Sequence, residues 1–180
     1  MRYLILFVGV LLTPLSALAN DWDSLETPGA VAIMRHALAP GTSDPAEFVI
    51  GDCGTQRNLD DRGRDEAKRT GAAFRARGIA FDAVFASQWC RTRETADLLD
   101  VGSVVDAPPL NSFFDDRSTR DSQTRATVDL LANTPGRLML VTHQVNISAL
   151  TGRSTRSGEI LVIVPEGERF QVIGSILIAP

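Results

Sequence analysis

The stretch Gly29-Ala30-Val31-Ala32-Ile33-Met34-Arg35-His36-Ala37 decides how the chain is interpreted. It begins as a short apolar run, which predicts a buried strand over Ala30 to Met34, and it ends in an arginine and a histidine. In open α/β sheets, ligands bind at the carboxyl ends of the strands. The stretch therefore predicts a fixed cation and a nucleophile or base at a ligand-binding edge of a sheet.

The rest of the chain alternates predicted helices and strands. This alternation predicts a three-layer α/β/α sandwich with a mostly parallel sheet, and the last two strands, joined by Pro165-Glu166-Gly167-Glu168, predict a C-terminal hairpin. Residues 38–58 contain three glycines and two prolines and are expected to form a long functional loop. The predicted helices cover 62–77, 91–99, 119–133 and 145–150, and the further strands cover 79–86, 102–107, 137–142, 159–164 and 170–178.

The N-terminus predicts export. Met1-Arg2, the apolar run from Leu4 to Leu12 and the small-residue site Ala17-Leu18-Ala19 together resemble a signal peptide over residues 1–19, cleaved after Ala19. The apolar run is too short to span a membrane, so no stable membrane insertion is expected after cleavage; an uncleaved anchor is the alternative. We expect residues 20–180 to form a single domain that is periplasmic or secreted.

The net charge limits the classes of binding partner, and the two cysteines predict a disulfide. Loss of Arg2 changes the formal net charge from −4 to −5, which argues against general binding to nucleic acid or an anionic membrane. In an oxidising compartment we expect Cys53 and Cys90 to form a disulfide, stabilising the fold by ~3–4 kcal/mol on the chain-entropy estimate. The alternative is two free thiols, of which Cys90, next to Arg91, would be the more reactive.

Two further polar segments follow predicted strands. Ser87 to Ala96 opens a helix and contains Arg91, and Thr142-His143-Gln144 follows the strand at 137–142. We expect these segments to converge with Arg35 and His36 at one sheet edge. Arginine forks match phosphate oxygens and remain charged at any working pH. The residues therefore predict an anion pocket that contains imidazoles.

These segments resemble the histidine phosphatase superfamily. Arg35-His36-Ala37 corresponds to its Arg-His-Gly signature, and Ser87 to Ala96 matches a Ser-x-x-x-Arg-Thr-x-Glu-Thr-Ala segment. Asn58-Leu59-x-x-x-Gly63-Arg64-x-x-Ala67 is similar to the helix-opening stretch between those motifs, and His143 to the second histidine. The resemblance runs from Ala30 to about Leu150 and implies a phosphoglycerate mutase-like fold.

The resemblance also implies a chemistry. It predicts a phosphomonoester hydrolase that needs neither metal nor cofactor, in which His36 attacks phosphorus and forms a phosphohistidine. Arg35, Arg91 and His143 would hold the equatorial oxygens. The expected substrate is a small-molecule or glycan phosphate monoester, with a phosphorylated cell-envelope sugar proposed by analogy. The alternative is a non-catalytic protein that binds phosphate or another anionic ligand on the same fold.

The chain departs from the family pattern at two positions beside the histidines. Ala37 stands where the signature has glycine, and we expect its N–H to remain available near the phosphate. Gln144 stands where a small residue often follows the second histidine, so the floor of the pocket is expected to differ.

The identity of the leaving-group acid is a third departure. The glutamate that some family members carry near the position of Leu110 is missing. Asp115 follows Phe113-Phe114, two aromatic residues expected to be exposed, and is the predicted acid, because a carboxyl packed against aromatic rings can be protonated near neutral pH. The alternatives are Asp116, or two solvated aspartates with no role in the reaction.

Overall fold

A computed structural model describes residues 20–167 and 169–179 of the protein. The predicted signal peptide, residues 1–19, lies outside the described residues. No helix within them is long and apolar enough to cross a membrane. In this part of the chain the elements are β1 Val31–Arg35, α1 Asp61–Arg75, β2 Ala83–Ala86, α2 Cys90–Leu99, β3 Val104–Asp106, α3 Arg120–Ala132, β4 Leu138–Thr142, α4 Gln144–Thr151, β5 Ile160–Glu166 and β6 Arg169–Ile176.

The six strands of the described residues form one sheet in the order β3-β2-β4-β1-β5-β6. The first four are parallel, whereas β5 runs antiparallel to β1 and β6 antiparallel to β5. The predicted mostly parallel sheet with a C-terminal hairpin is therefore confirmed. Pairing in the hairpin extends to Glu166 and Arg169, so its turn is shorter than predicted.

Both faces of the sheet are covered, as a parallel sheet requires. Along β1, Ala32 and Met34 pack into one core cluster, and Val31 and Ile33 pack into another on the opposite face. The first cluster includes residues of α1 and α2, and the second includes residues of α3 and α4. These two cores confirm the predicted three layers.

Two local predictions were wrong. The strand predicted to begin at Ile79 begins at Ala83, although Ile79 and Phe81 are both buried in the core. Burial of apolar side chains does not require ladder pairing, so the apolar run extends beyond the strand. Phe113 is buried, whereas its neighbour Phe114 remains 44% exposed. Only one of the two aromatic residues is therefore available at the surface.

Helices α1 and α2 approach closely at Gly71. A Cβ atom there would lie 1.9 Å from the backbone oxygen of Leu99. Alanine in place of an ordinary helical glycine stabilises a helix by about 1 kcal/mol. We expect Gly71→Ala to do the opposite and to lower the free energy of unfolding by ~1–3 kcal/mol, because the two helices must move apart.

Chemical denaturation of the two proteins measures this difference. Ala72→Ser, at an exposed position of the same helix, is the control and should change the free energy of unfolding by less than about 0.5 kcal/mol. A Gly71→Ala variant as stable as the parent protein would contradict the close packing of α1 on α2.

Candidate active site

The candidate site is built at the carboxyl ends of three adjacent parallel strands. β4 lies between β1 and β2, and Arg35 pairs with Thr142. The backbone N–H of His36 donates to the oxygen of Thr142 at 3.0 Å, and that of Ser87 donates to the oxygen of Val141 at 3.1 Å. The pairing leaves the rings of His36 and His143 in edge-on contact, with centroids 5.5 Å apart.

His36 is held as a neutral imidazole with one defined tautomer. Its Nδ1 lies 2.7 Å from the oxygen of Ala37, which can only accept, so Nδ1 carries the proton. Its Nε2 lies 3.3 Å from the Nε of Arg91, which can only donate, so Nε2 carries the lone pair. Burial, followed by the charge of Arg91, lowers the pKa of His36 to about 3.

His143 is oriented from both sides of its ring. Its Nδ1 accepts from Nη2 of Arg91 at 3.4 Å, and its Nε2 lies 2.8 Å from the hydroxyl oxygen of Ser87. The Ser87 hydroxyl donates in turn to Oδ1 of Asn111 at 3.3 Å. Burial and the neighbouring His36 lower the pKa of His143 well below its usual value. The neutral ring therefore donates through Nε2 and presents a lone pair on Nδ1.

Arg91 and Arg35 approach the imidazoles from different elements. Arg91 projects from the first turn of α2 and is buried. Arg35 ends β1, and its Nη1 donates to the oxygen of Thr155 at 3.0 Å. Within the described part of the chain, the Nε of Arg35 is buried and has no hydrogen-bond partner. Arg35 lines the same cavity as both histidines.

Two charged residues of the loop 38–58 also enter the site, and neither was predicted to do so. Asp44 contacts the guanidinium of Arg91 through both carboxylate oxygens, at 2.8 and 3.0 Å. Arg57 lines the same cavity, and burial followed by the charge of Arg91 lowers its pKa. The only sequence signals were the length of the loop and the position of Arg57 directly before the Asn58-Leu59 segment.

The predicted disulfide between Cys53 and Cys90 is present, with a Cα–Cα distance of 5.6 Å. The disulfide joins Cys53 in the loop 38–58 to Cys90, the first residue of α2. The amide of Cys90 also donates to Oε1 of Gln56 at 2.9 Å, which adds a second connection between the same two segments. The loop is thereby held against the N-terminus of α2.

The two departures beside the histidines have structural consequences. The N–H of Ala37 donates to the hydroxyl oxygen of Thr95 at 3.1 Å, so the expectation that it is available to a ligand was wrong. Gln144 lines the cavity, and its Oε1 accepts from the amide and the hydroxyl of Thr155 at 2.8 and 2.9 Å. Because the oxygen of Thr155 also accepts from Arg35, Gln144 helps to support that arginine.

The two possible acids differ in their surroundings. Asp115 is exposed and lines the cavity next to Phe114. Asp116 does not line the cavity; its Oδ1 instead accepts from the backbone N–H of Ser118 at 3.1 Å and caps a short 3-10 turn. Of the two aspartates, only Asp115 lines the cavity.

These side chains surround a cavity of about 230 Å³. Most of its lining residues are charged or polar, and Phe114 is also among them. No group of three or more His, Cys, Asp or Glu side chains within residues 20–167 and 169–179 is arranged to hold a metal ion. The principal lining residues are Arg35, His36, Asp44, Arg57, Arg91, Ser112, Phe114, Asp115, His143 and Gln144.

Known proteins resemble part of the chain in sequence. The family described as "Histidine phosphatase superfamily (branch 1)" matches residues 31–110. A relative named serine/threonine-protein phosphatase Pgam5, mitochondrial, from Drosophila grimshawi is 44% identical over 50 residues, which cover 28% of this chain and 17% of the relative. The chain thus matches less than a fifth of the length of that relative.

Solved structures resemble the chain over most of its length. Phosphoglycerate mutase from Thermus thermophilus is 15% identical with a TM-score of 0.60, over 83% of this chain and 99% of that one. Phosphoserine phosphatase from Entamoeba histolytica is 11% identical with a TM-score of 0.61, over 83% and 97%. At these identities the likeness establishes the fold. The family match includes His36 and Arg91, and the solved structures share the fold of the chain.

Proposed function

We propose that the protein is a metal-independent phosphomonoester hydrolase in which His36 is the nucleophile. The observation that carries this proposal is the environment of one atom, the Nε2 of His36. This atom holds a lone pair and lies 3.3 Å from the Nε of Arg91, and His36 lines the cavity. A buried neutral imidazole beside a fixed cation is suited to attack a phosphorus atom whose oxygens that cation holds.

The positive charge of the cavity supports phosphoryl transfer. Arg35, Arg57 and Arg91 line it together, and the buried Nε–H of Arg35 is free to donate to a phosphate oxygen. Phosphoryl transfer depends mainly on positioning and on neutralising charge at the equatorial oxygens. We assign Arg35 and Arg91 to hold those oxygens, with Arg57 adding positive charge nearby.

His143 has a second role in the proposal. A bound phosphate dianion favours the protonated form of this imidazole, because an opposite charge within a few ångströms stabilises the cation. Its Nδ1 would then donate to a phosphate oxygen while Nε2 remains on the hydroxyl of Ser87, 2.8 Å away. Ser87 would act through His143 by keeping the ring in this orientation.

The proposed reaction has two steps. Nε2 of His36 forms a bond to phosphorus as the ester P–O bond breaks, and the leaving oxygen takes a proton from the carboxyl group of Asp115. Water then attacks phosphorus and gives a proton to the Asp115 carboxylate, and the P–Nε2 bond breaks, which releases inorganic phosphate and regenerates the neutral imidazole of His36. Asp115 is assigned this role because it lines the cavity and is exposed to solvent.

The substrate and the location are part of the same proposal. We propose that residues 1–19 direct export and that the protein acts in the periplasm or outside the cell; the Cys53–Cys90 disulfide supports an oxidising compartment. The substrate class is a small-molecule or glycan phosphate monoester, with a cell-envelope sugar phosphate as the proposed physiological case. Phe114 offers an apolar surface for the non-phosphate part of such a molecule.

The nucleophile is tested by His36→Ala. With an aryl phosphate and a chelator present, the parent protein should release phosphate, and the variant should lose activity by at least about 10³-fold. Thermal unfolding of both proteins checks that the fold is retained. Retained turnover in a folded variant would remove His36 from the mechanism. A parent protein that binds phosphate but hydrolyses none of several monoesters would instead indicate a non-catalytic anion-binding protein.

The protonation state of the site is tested by histidine NMR on untagged protein, since the sequence contains two histidines. Burial and the arginine charges lower both pKa values, that of His36 to about 3, so neither Cε1–H signal should shift between pH 8 and pH 5. Arg91→Ala removes one cation and should raise both pKa values. Arg93→Ala, which removes a more exposed arginine of the same helix, is the control and should change neither. A midpoint near pH 6.5 in the parent protein would contradict the neutral buried imidazole.

The acid is tested by Asp115→Asn and Asp116→Asn side by side. If Asp115 protonates the leaving oxygen, its replacement should reduce kcat about 10²–10⁴-fold for an alkyl phosphate and less for an aryl phosphate, whose leaving group needs no proton. Asp116→Asn is the matched control and should leave both rates nearly unchanged. The reverse ranking would transfer the role to Asp116, and no effect from either variant would exclude both aspartates as the acid.

A further inference from the structure

We propose that Asp44 is a positioning residue that fixes the orientation of Arg91 in the catalytic cavity. The inference rests on the proposed function in that Arg91 is taken to hold the transferred phosphoryl group. It adds a requirement that neither the superfamily motifs nor the sequence pattern contains: a carboxylate delivered by the loop 38–58 must hold the outer edge of the guanidinium.

The contact between the two side chains is a buried, two-pronged ion pair. Nη1 of Arg91 donates to Oδ1 of Asp44 at 2.8 Å, and Nη2 donates to Oδ2 at 3.0 Å. The side chains are only 3% and 4% exposed, so water screens the pair little. Two parallel charge-assisted hydrogen bonds define the plane and the direction of a guanidinium as well as its location.

The remaining N–H groups of Arg91 show which edge is left for a ligand. The second hydrogen of Nη1 faces the backbone oxygen of Arg57 at 3.2 Å. On the other edge, Nε and Nη2 face the imidazole nitrogens of His36 and His143 at 3.3 and 3.4 Å. These last two contacts are longer than a typical N–H···O hydrogen bond, and a phosphate oxygen between the imidazoles can replace them. Asp44 therefore orients Arg91 without occupying the edge that faces the nucleophile.

Asp44 is itself held by further donors. The indole N–H of Trp89 donates to its Oδ2 and the backbone N–H of Arg57 to its Oδ1, both at 3.0 Å. Burial acts to raise the pKa of Asp44, but the hydrogen bonds from Arg91 and Arg57 outweigh it and keep the pKa below its usual value. A carboxylate that accepts from four N–H groups has no proton to give. In this arrangement Asp44 orients a neighbour and does not act as an acid.

The backbone before Asp44 is in a costly conformation that the loop maintains. Ser43 has a φ of +57°, a left-handed conformation that non-glycine residues adopt only where the surroundings impose it. The side chain of Arg57 donates to the backbone oxygens of Ser43 and Ala39, which holds this turn. The unfavourable backbone conformation of Ser43 therefore comes directly before the residue whose carboxylate contacts Arg91.

Removal of this carboxylate should affect binding and turnover in opposite directions. Without Asp44, the positive charge facing a phosphate increases, so ground-state binding of a dianion becomes tighter. The guanidinium also loses its fixed direction, so it stabilises the transition state less well. A change that merely loosened the structure would weaken binding and turnover together.

The test uses Asp44→Asn, which keeps the shape of the side chain, with Asp52→Asn as the matched control. Asp52 lies in the same loop but is exposed, and its carboxylate accepts from the backbone N–H of Gly54 at 3.0 Å. For Asp44→Asn we expect kcat to fall about 10- to 100-fold, equally for an aryl and an alkyl phosphate. The Kd for inorganic phosphate, measured by calorimetry, should fall. Asp52→Asn should match the parent protein in both measurements.

Other outcomes separate the alternatives. A larger loss for the alkyl phosphate would make Asp44 an acid and overturn the positioning role. Unchanged kcat and Kd in a folded variant would also overturn it while leaving the proposed phosphatase activity intact. If the parent protein hydrolyses nothing, the proposed function fails, and the phosphate Kd of the variant still tests the contact. Asp44→Glu retains the charge and should recover part of the lost kcat, and equal loss in both variants would count against orientation by charge pairing.

Discussion

The parallel pairing of β1 with β4 is the constraint on which the site depends. Arg35 lies opposite Thr142 in the ladder, so both strands end at the same level and each delivers its histidine to the same edge. The hydrogen bond from the His36 N–H to the Thr142 oxygen extends the pairing by one residue into the site. A slip of one residue in either strand would turn a histidine to the opposite face of the sheet, because side chains alternate along a strand.

The electrostatic character of the site follows from placing like charges close together. Arg35, Arg57 and Arg91 share one cavity, and Asp44 is the carboxylate buried among them. Their field, together with burial, keeps both imidazoles neutral and favours a dianion in the cavity. Since the cations repel one another, the arrangement needs support from outside the cavity. The disulfide between Cys53 and Cys90, with the hydrogen bonds of the loop 38–58, provides that support.

Sequence reasoning worked where a local pattern decides the structure. The apolar runs before His36 and His143 predicted strands, and the helix predicted over 145–150 is present as α4, which ends at Gly152 in the left-handed conformation. The predictions were wrong where a side chain is buried although its residue does not pair in the sheet. Ile79 and Phe81 are apolar and buried but lie outside the sheet, and Phe113 is buried although it was expected to be exposed. The N–H of Ala37 was expected to face a ligand. It donates instead to the hydroxyl oxygen of Thr95, which lies 58 residues further along the chain.

Periodicity and short motifs are local properties. The amino-acid sequence was therefore enough to predict the layered α/β architecture, the strand-end positions of Arg35, His36 and His143, and the likeness of the Arg91 segment to the superfamily. Contacts formed on folding bring Asp44 and Arg57 into the site and place Asp115 at the cavity while Asp116 caps a turn. They also set which ring nitrogen of each histidine carries the proton. These outcomes depend on contacts across tens of residues, such as the 47 between Asp44 and Arg91. The loop 38–58 has no repeating pattern from which such contacts could be predicted. Its conformation depends on the disulfide and the hydrogen bonds that form when the chain folds.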